Sequence, residues 1–404
     1  MTQTELMFNP FEPGFTANPY PQLTAIRERL PVHEHPLGFW LLTRHGDVSD
    51  LLKSKHSVEE HRISTGAMAE MYRQLDGDEA RRAVGLSMLD RDAPDHTRLR
   101  KLVVKAFTMR TIEALAPRVT ELVDQALDRL AAAGGGDLVT ELAFPLPFTV
   151  ISEMMGMPDT DHVRLRELTG TLVRSLEPVN DPDVLAAIAD ADRQITALTV
   201  DAIEWKRRNP ADDLLTALIA AEDGGDRLSE EELVSQVVLL YVAGHETTVN
   251  LIANGTLALL NDPAQFSLLA SRPDLDANAV DELLRFDPPV QMSRRVTLEP
   301  YEVGGHVIPT GSAVIVSLAA ANRDPAVFGD NADNVDVERA NARHHVSFGG
   351  GIHHCLGAAL ARLEGRIAIG RLVRRFPDLR LAGEVSWNGR INLRGPATLP
   401  VATS

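Results

Sequence analysis

Between Ser229 and Leu260 the chain carries an almost unbroken helical pattern, and no other stretch limits the fold so strongly. The pattern opens on Ser229-Glu230-Glu231-Glu232, a capping box in which the Ser229 hydroxyl and the Glu232 carboxylate each satisfy a free backbone N–H of the first turn. It stops before Asn261-Asp262-Pro263. At a rise of about 1.5 Å per residue the helix is about 45 Å long, enough to cross a whole domain. Residues 234–242 are apolar nearly all round, which predicts burial inside protein. Other elements must enclose such a helix, and helical patterns dominate the rest of the chain. Residues 111–132 place Ile112, Leu115, Val119, Leu122, Val123, Ala126 and Leu130 at helical spacing, before the stop Gly134-Gly135-Gly136. Residues 184–205 form another helix, closed by Asn209-Pro210, and 175–182 before it, with two prolines, is expected to be a loop.

Strand patterns are fewer. Phe39-Trp40-Leu41-Leu42 is one. Tyr301-Glu302-Val303, Gly304-Gly305 and His306-Val307-Ile308 spell a hairpin, and the β-branched run 313–318 is expected to follow in the same small sheet. The expected fold is mainly α with small β-sheets. No Pro/Gly/Ser-rich linker divides the sequence, so residues 1–404 are expected to form a single domain.

The long helix has a flaw at its centre: Ala243-Gly244-His245-Glu246-Thr247-Thr248. Glycine and threonine are poor helix formers, and Glu246 is an acid where burial is most costly. Such local conflict tends to mark function. Small residues let a flat ligand approach the backbone, and a Thr hydroxyl can bond back to the carbonyl four residues earlier. A plain kink with a solvated glutamate explains the segment equally well.

Charge and cysteine content exclude several classes. With 40 Lys+Arg against 57 Asp+Glu the net charge is -17, which disfavours nucleic acid or an anionic membrane as the main partner. The start, MTQTELMFNPFEP, lacks the basic and apolar regions of a signal peptide, and the longest apolar runs fall short of the roughly 18 residues of a spanning helix. The 1 Cys forbids an intrachain disulfide, and a cytoplasmic protein is expected.

That cysteine lies in Phe348-Gly349-Gly350-Gly351-Ile352-His353-His354-Cys355-Leu356-Gly357, ahead of an Ala/Leu-rich helix. Three glycines allow a sharp turn close to a planar ligand, and a sulfur at a helix N-terminus is drawn toward thiolate, a strong soft-metal ligand. Three readings compete: a buried structural cysteine, a zinc site with some of His344, His345, His353 and His354, and axial ligation of haem iron. Composition does not decide among them.

The pattern Phe348-x-x-Gly351-x-x-x-Cys355-x-Gly357 resembles the haem-binding loop of the cytochromes P-450, the haem-thiolate monooxygenases, and three more motifs agree in order. Ala243 to Thr248 resembles the oxygen-activation motif of that family's central helix. Glu282-Leu283-Leu284-Arg285 resembles its Glu-x-x-Arg helix, with Arg339 where a second arginine completes the ion-pair network. His96-Thr97-Arg98-Leu99-Arg100 resembles the segment that holds haem propionates. The likeness covers about residues 9–401 and points to the soluble bacterial type. It implies a triangular helical prism with haem between the central helix and the Cys355 loop.

Residue by residue, the resemblance makes Cys355 the iron ligand and assigns His96, Arg100, Arg295 and His353 to the propionates, with Arg294 the alternative to Arg295. It gives Glu246 and Thr247 to proton delivery during oxygen activation. Glu246 stands where many relatives carry Asp. His354, His245, His344 and His345 are expected to play no direct part. The implied cofactor is haem b, and the implied reaction puts one oxygen atom from dioxygen into a hydrophobic small molecule such as a macrolide, steroid or terpenoid. Electrons would come from NAD(P)H through a ferredoxin reductase and an acidic ferredoxin, because no dinucleotide fingerprint, flavin or iron–sulfur module is fused. The donor is expected to dock on the basic run Arg98, Arg100, Lys101, Lys105 and Arg110. A peroxide-using peroxygenase and a non-catalytic haem protein are the alternatives. Pocket residues are expected in 57–89, 175–182, 238–243, 290–293 and 392–394.

Overall fold

A computed structural model describes residues 6–66, 69, 86–157, 162–179 and 181–404. The long helix runs unbroken over Glu230–Leu260, 31 residues. Its capping box forms as expected: Ser229 Oγ accepts from the Glu232 N–H at 3.1 Å, and the Glu232 carboxylate accepts from the Ser229 N–H at 2.9 Å. Burial falls differently from the sequence expectation. Every residue from Thr248 to Leu259 is buried, whereas Val234, Val238, Leu239 and Val242 are only partly so. The second half is enclosed by the helices Asp276–Phe286 and Ala358–Arg375, so closely that a Cβ on Gly255 would lie 3.0 Å from Leu283 and 3.1 Å from Ile369. The first half packs against the helix Pro145–Met155 and leaves a side open, and Ala243 is exposed there.

Helix boundaries moved where a proline or a cap decides them. The expected helix 111–132 is two helices, Met109–Glu113 and Ala116–Ala133. Pro117 has no N–H to give a preceding turn, so it fits only at the start of the second. Gly134, at φ 71°, ends it. The helix expected at 184–205 runs over Pro182–Arg208, because the Asp181 carboxylate caps the N–H groups of Asp183 and Val184. The expected loop 175–182 is thereby shortened at both ends, since Val173–Leu176 is a 3-10 turn.

The main sheet has four strands in the order Val32–Glu34, Phe39–Leu42, Ala313–Ser317, Met292–Val296. Phe39–Leu42 pairs parallel with Ala313–Ser317, and all four of its residues are buried. The hairpin Tyr301–Val303/His306–Ile308 forms with Gly304 and Gly305 at positive φ, as its sequence predicts. Its sheet is separate, however. The run 313–318 joins Phe39–Leu42 and Met292–Val296 instead, and beside the fully buried apolar strand Phe39–Leu42 its Val314 and Val316 are buried.

Two buried carboxylates fix the frame around the cysteine loop. Glu282 grips Arg285 through contacts of 2.6 and 2.8 Å and Arg339 through 3.1 and 3.2 Å, and all three residues are buried. Spare guanidinium N–H groups go to the carbonyls of Asn322, Ala332 and Phe328. Next to it, Asp281 holds Arg362 at 2.7 Å, Arg343 at 3.0 Å and His345 at 3.3 Å. Burial would raise its carboxyl, but these partners overcome that and pull it down to about 2. Among the described residues no helix is long and apolar enough to cross a membrane.

Candidate active site

Cys355 lies between the short turn Gly351–His353 and the helix Ala358–Arg375. The loop closes on itself where the Cys355 N–H donates to the Phe348 carbonyl at 2.8 Å. Gly349 and Gly351 have φ of 70° and 64°, a conformation glycine adopts without strain. A Cβ at Gly351 would lie 2.7 Å from the Leu52 carbonyl oxygen. Gly349 and Gly351 thus suit the turn, and at Gly351 the end of the helix His45–Lys53 leaves no room for a side chain.

The sulfur is accessible, yet burial pushes the Cys355 thiol above its ordinary range. The N–H groups of Gly357 and Ala358 and the guanidiniums of Arg100 and Arg362 oppose that shift without reversing it. The helix N-terminus alone therefore does not supply a thiolate, contrary to the sequence reading; a bound cation would. Zinc is a poor candidate for that cation. Among the described residues no three His, Cys, Asp or Glu side chains converge to hold a metal. The neighbouring histidines are dispersed: His345 faces Asp281, His353 stacks on His96, and the His344 carbonyl bonds His45 at 2.8 Å.

His96 and His353 stand out by what they lack. His96 is 1% exposed, yet neither of its ring nitrogens has a hydrogen-bond partner, nor does His353 Nε2. Arg100 donates to the His354 carbonyl at 2.7 Å, and burial lowers its guanidinium below the usual range. Arg295 is buried and pushed down to about 10, with contacts to carbonyl and hydroxyl oxygens but no ion pair among the described residues. Arg294 points the other way along its strand and pairs with Glu60. That alternation separates the two arginines that the sequence left as alternatives.

In the long helix, Thr247 Oγ1 donates to the Ala243 carbonyl at 2.9 Å without breaking the helix. Glu246 is neither solvated nor unpaired: it forms an ion pair with Arg390, and the two side chains are 14% and 17% exposed. His245 turns away among Phe144 and Phe148, with ring centroids 4.4 and 5.4 Å distant. Gly244 faces Ile151, where a Cβ would make an ordinary contact at 3.5 Å, so packing against the helix Pro145–Met155 does not by itself require glycine.

The sequence model of the cytochrome P450 family matches residues 261–381. Cytochrome P450 107B1 of Saccharopolyspora erythraea is 44% identical, across 97% of this chain and 96% of its own. The vitamin D(3) 25-hydroxylase of Pseudonocardia autotrophica is 42% identical, across 97% and 95%. The solved structure of the Bacillus subtilis bacillaene polyketide synthase cytochrome P450 PksS superposes with a TM-score of 0.88 at 38% identity, covering 98% of this chain and 100% of that one. This chain is a cytochrome P450. As a P450 it is a monooxygenase, an oxidoreductase that incorporates oxygen, and its fold is the family's helical prism with small sheets. The family implies a haem-thiolate centre, and the residues present fit one. A dianionic, mostly apolar disc needs buried donors for its two carboxylates, and this P450 offers unpartnered imidazoles beside two cations whose charge no described carboxylate pairs.

Three residues of the site were missed in the sequence. Arg390 follows a turn glycine and shows no periodicity. Asp281 was overshadowed by Glu282. Glu364, an acid inside an Ala/Leu-rich helix, was legible and overlooked; it is 1% exposed, with Oε2 unpartnered. One expected pocket residue is excluded: Arg394 is buried and clamped to Asp287 and to the Thr16 and Ala17 carbonyls. Of the expected pocket segment 57–89, residues 67, 68 and 70–85 lie outside the described residues.

Proposed function

We propose that this P450 inserts one oxygen atom from dioxygen into a hydrophobic natural product, with haem b as cofactor, acting in the cytoplasm as one unit over residues 1–404. The observation that carries the reading is the convergence of unpartnered His96 and His353 nitrogens with Arg100 and Arg295 beside the Cys355 loop. The haem supplies oxygen binding and one-electron chemistry. Cys355 would hold the haem iron, and His96, Arg100, Arg295 and His353 would hold its two propionates. Glu246, on the long helix, would hold and pass on a proton. Thr247 spends its hydroxyl proton on the Ala243 carbonyl, so its oxygen is free to accept from, and orient, a water in the cleft.

The relatives named for vitamin D(3) hydroxylation and for polyketide synthesis support a steroid-like or polyketide substrate. A screen for spectral shifts with vitamin D3, testosterone and a macrolide tests it. In the purified enzyme the reduced CO complex should show the red-shifted Soret band of thiolate ligation, and Cys355→Ser should lose it. A variant that keeps the band removes Cys355 as the ligand. Turnover with NAD(P)H and a ferredoxin system, and little with hydrogen peroxide alone, separates a monooxygenase from a peroxygenase. Thr247→Ala should divert electrons to peroxide while haem binding stays intact.

An acidic ferredoxin is the proposed donor, docking on the basic run that holds Arg98, Arg100, Lys101, Lys105 and Arg110. Within it Arg98 pairs with Glu232 and Asp226, Lys105 donates to the Glu222 carbonyl at 2.8 Å, and Arg100 turns toward the loop. Lys101 and Arg110 are both exposed on that run. Lys101→Glu with Arg110→Glu should slow the first-electron reduction and flatten its dependence on ionic strength. Unchanged rates would move the docking site elsewhere.

A further inference from the structure

The turn at residues 388–395 bonds to the segment 162–179, to the long helix and to the strand Met292–Val296. Its amides at Ile391, Asn392 and Leu393 all donate to one carboxylate, that of Glu177, at 2.8 to 3.1 Å. Glu177 follows the helix His162–Leu172 and the 3-10 turn Val173–Leu176. Arg390, on the same turn, pairs with Glu246 through Nη1 and donates through Nη2 to the Gly170 carbonyl at 3.2 Å. The turn itself is anchored to the body: the Gln291 N–H donates to the Asn392 carbonyl at 2.9 Å, the Met292 N–H to Asn392 Oδ1 at 3.1 Å, the Arg394 N–H to the Pro289 carbonyl at 3.0 Å, and Asn254 Nδ2 of the long helix to the Arg394 carbonyl at 3.1 Å. At its far end Gly395 sits on the long helix, where a Cβ would collide with Asn250.

The anchoring decides which side moves. The limb 162–179 is held to the turn by the Glu177 carboxylate and by the carbonyls of Gly170 and Leu176, the last two at 3.2 and 3.4 Å, whereas the turn is held to the sheet and to the long helix by backbone and side-chain bonds. Three N–H donors on one carboxylate make a strong but single-point attachment, which releases as a unit if Glu177 withdraws. Withdrawal of the limb also takes away the Gly170 carbonyl and leaves Arg390 with one remaining partner, Glu246. A guanidinium with five donors in a fixed plane is directed by its acceptors, so losing one frees it to swing and carry the other carboxylate with it.

We propose that Arg390 is a positioning residue for Glu246, and that it couples closure of the limb 162–179, latched by Glu177, to the placement of the Glu246 carboxylate. Proton transfer is then set up only when the limb is down over the substrate. The proposal rests on the proton-relay role of Glu246, and the experiment keeps the two apart.

The first measurement is amide hydrogen exchange on the haem-loaded enzyme. Glu177→Gln weakens the latch and should speed exchange at Ile391, Asn392 and Leu393 by about tenfold, with the helix Ala358–Arg375 unchanged. Unchanged exchange at those three amides overturns the latch. The second is the fraction of NAD(P)H electrons lost to hydrogen peroxide, in a reconstituted ferredoxin system with vitamin D3 as the probe. Arg390→Gln should raise it about threefold while the vitamin D3 spectral Kd stays within about twofold, and Arg390→Lys should restore most of the loss. If Glu246→Gln raises peroxide loss but Arg390→Gln does not, Arg390 does not position the acid. If Glu246→Gln itself changes nothing, the relay role fails first. Should Arg390→Gln not retain haem, Glu177→Gln decides: its peroxide loss should rise as well, and a value equal to wild type overturns the coupling.

Discussion

The imidazoles of His96 and His353 meet with ring centroids 4.2 Å apart and planes tilted by 50°. They come from distant parts of the chain, a helix start and the cysteine loop. Burial pushes both toward the neutral form, His353 down to about 3 with His96 and Arg295 adding to the effect, and His96 downward with Arg100 adding to it. Neutral imidazoles offer one N–H each, so a carboxylate placed between them and Arg100 gains donors without adding a buried cation. His96→Ala with Arg100→Ala should therefore lower haem retention on purification. Each lost donor costs about 1–3 kcal/mol, so the two together should weaken haem binding by roughly one and a half to four orders of magnitude. Normal occupancy in the double variant would remove these residues from the cofactor site.

Removing Glu282 should be far more damaging than removing an exposed acid. Arg285 and Arg339 would remain as two buried guanidiniums with no carboxylate between them. Breaking a buried pair from one side costs about 3–5 kcal/mol, a large share of the stability of a typical fold. Urea unfolding of Glu282→Ala should show a midpoint well below wild type, or no soluble protein at all. The ion pair Arg272–Asp274 is a control, since both its side chains are substantially exposed and its loss should be nearly silent.

Glu364 should make the protein less stable as pH rises. It is buried against Thr248, and burial lifts its carboxyl to about 8 from an ordinary 4.5. Above about 4.5 the unfolded chain gives up this proton and the native state keeps it, so stability falls until about pH 8 and is then level. Glu364→Gln keeps the shape without the titration. Its unfolding free energy should exceed that of wild type at pH 8 by about 2–4 kcal/mol and match it near pH 4. Parallel pH profiles in the two proteins would show that Glu364 is ionised in the native state.

His245 acts on the acid side. Burial, with Arg166 and Arg390 nearby, lowers it to about 3 from 6.5. The unfolded chain takes up a proton below about 6.5 and the native state does not, so stability is lost as pH falls through that window. His245→Phe should fit between Phe144 and Phe148 and remove about 1–2 kcal/mol of the loss between pH 7 and pH 5, read from thermal or urea unfolding. An unaltered acid limb would mean that His245 finds a counter-charge on protonation.

The parts of the molecule that were legible in the sequence are those ruled by local chemistry. The long helix was readable because a capping box and a proline stop bracket a continuous period. The hairpin at Gly304-Gly305 was readable because two positive φ angles demand glycine. The Cys355 loop and the Glu282 network were found through the wording of a family, and the geometry then explained them. What stayed hidden depends on contacts between remote segments. Nothing near Ala313 says which sheet it joins, because that choice depends on Phe39–Leu42 lying alongside. Nothing near Arg390 says that its partner is Glu246, and a glutamate in the middle of a helix cannot announce whether it meets solvent or a guanidinium. The thiol of Cys355 shows the same limit: the helix dipole is visible in sequence, but the desolvation that outweighs it is a property of the packed molecule.

Asp281 ties both flanks of the sulfur-bearing loop to one point. Arg343 and His345 lead into the loop, Arg362 leaves it, and all three end on the same pair of oxygens. The span from His345 to Arg362 is thus a tether of set length strung between fixed pegs, with Cys355 partway along it. Gly351, His353 and Cys355 are fixed by their own roles, but the other positions of the span are held mainly by its length, since the pegs locate the sulfur. A one-residue insertion or deletion has nowhere to be absorbed. For anyone redesigning this enzyme, the number of residues between the pegs is as binding as the cysteine itself.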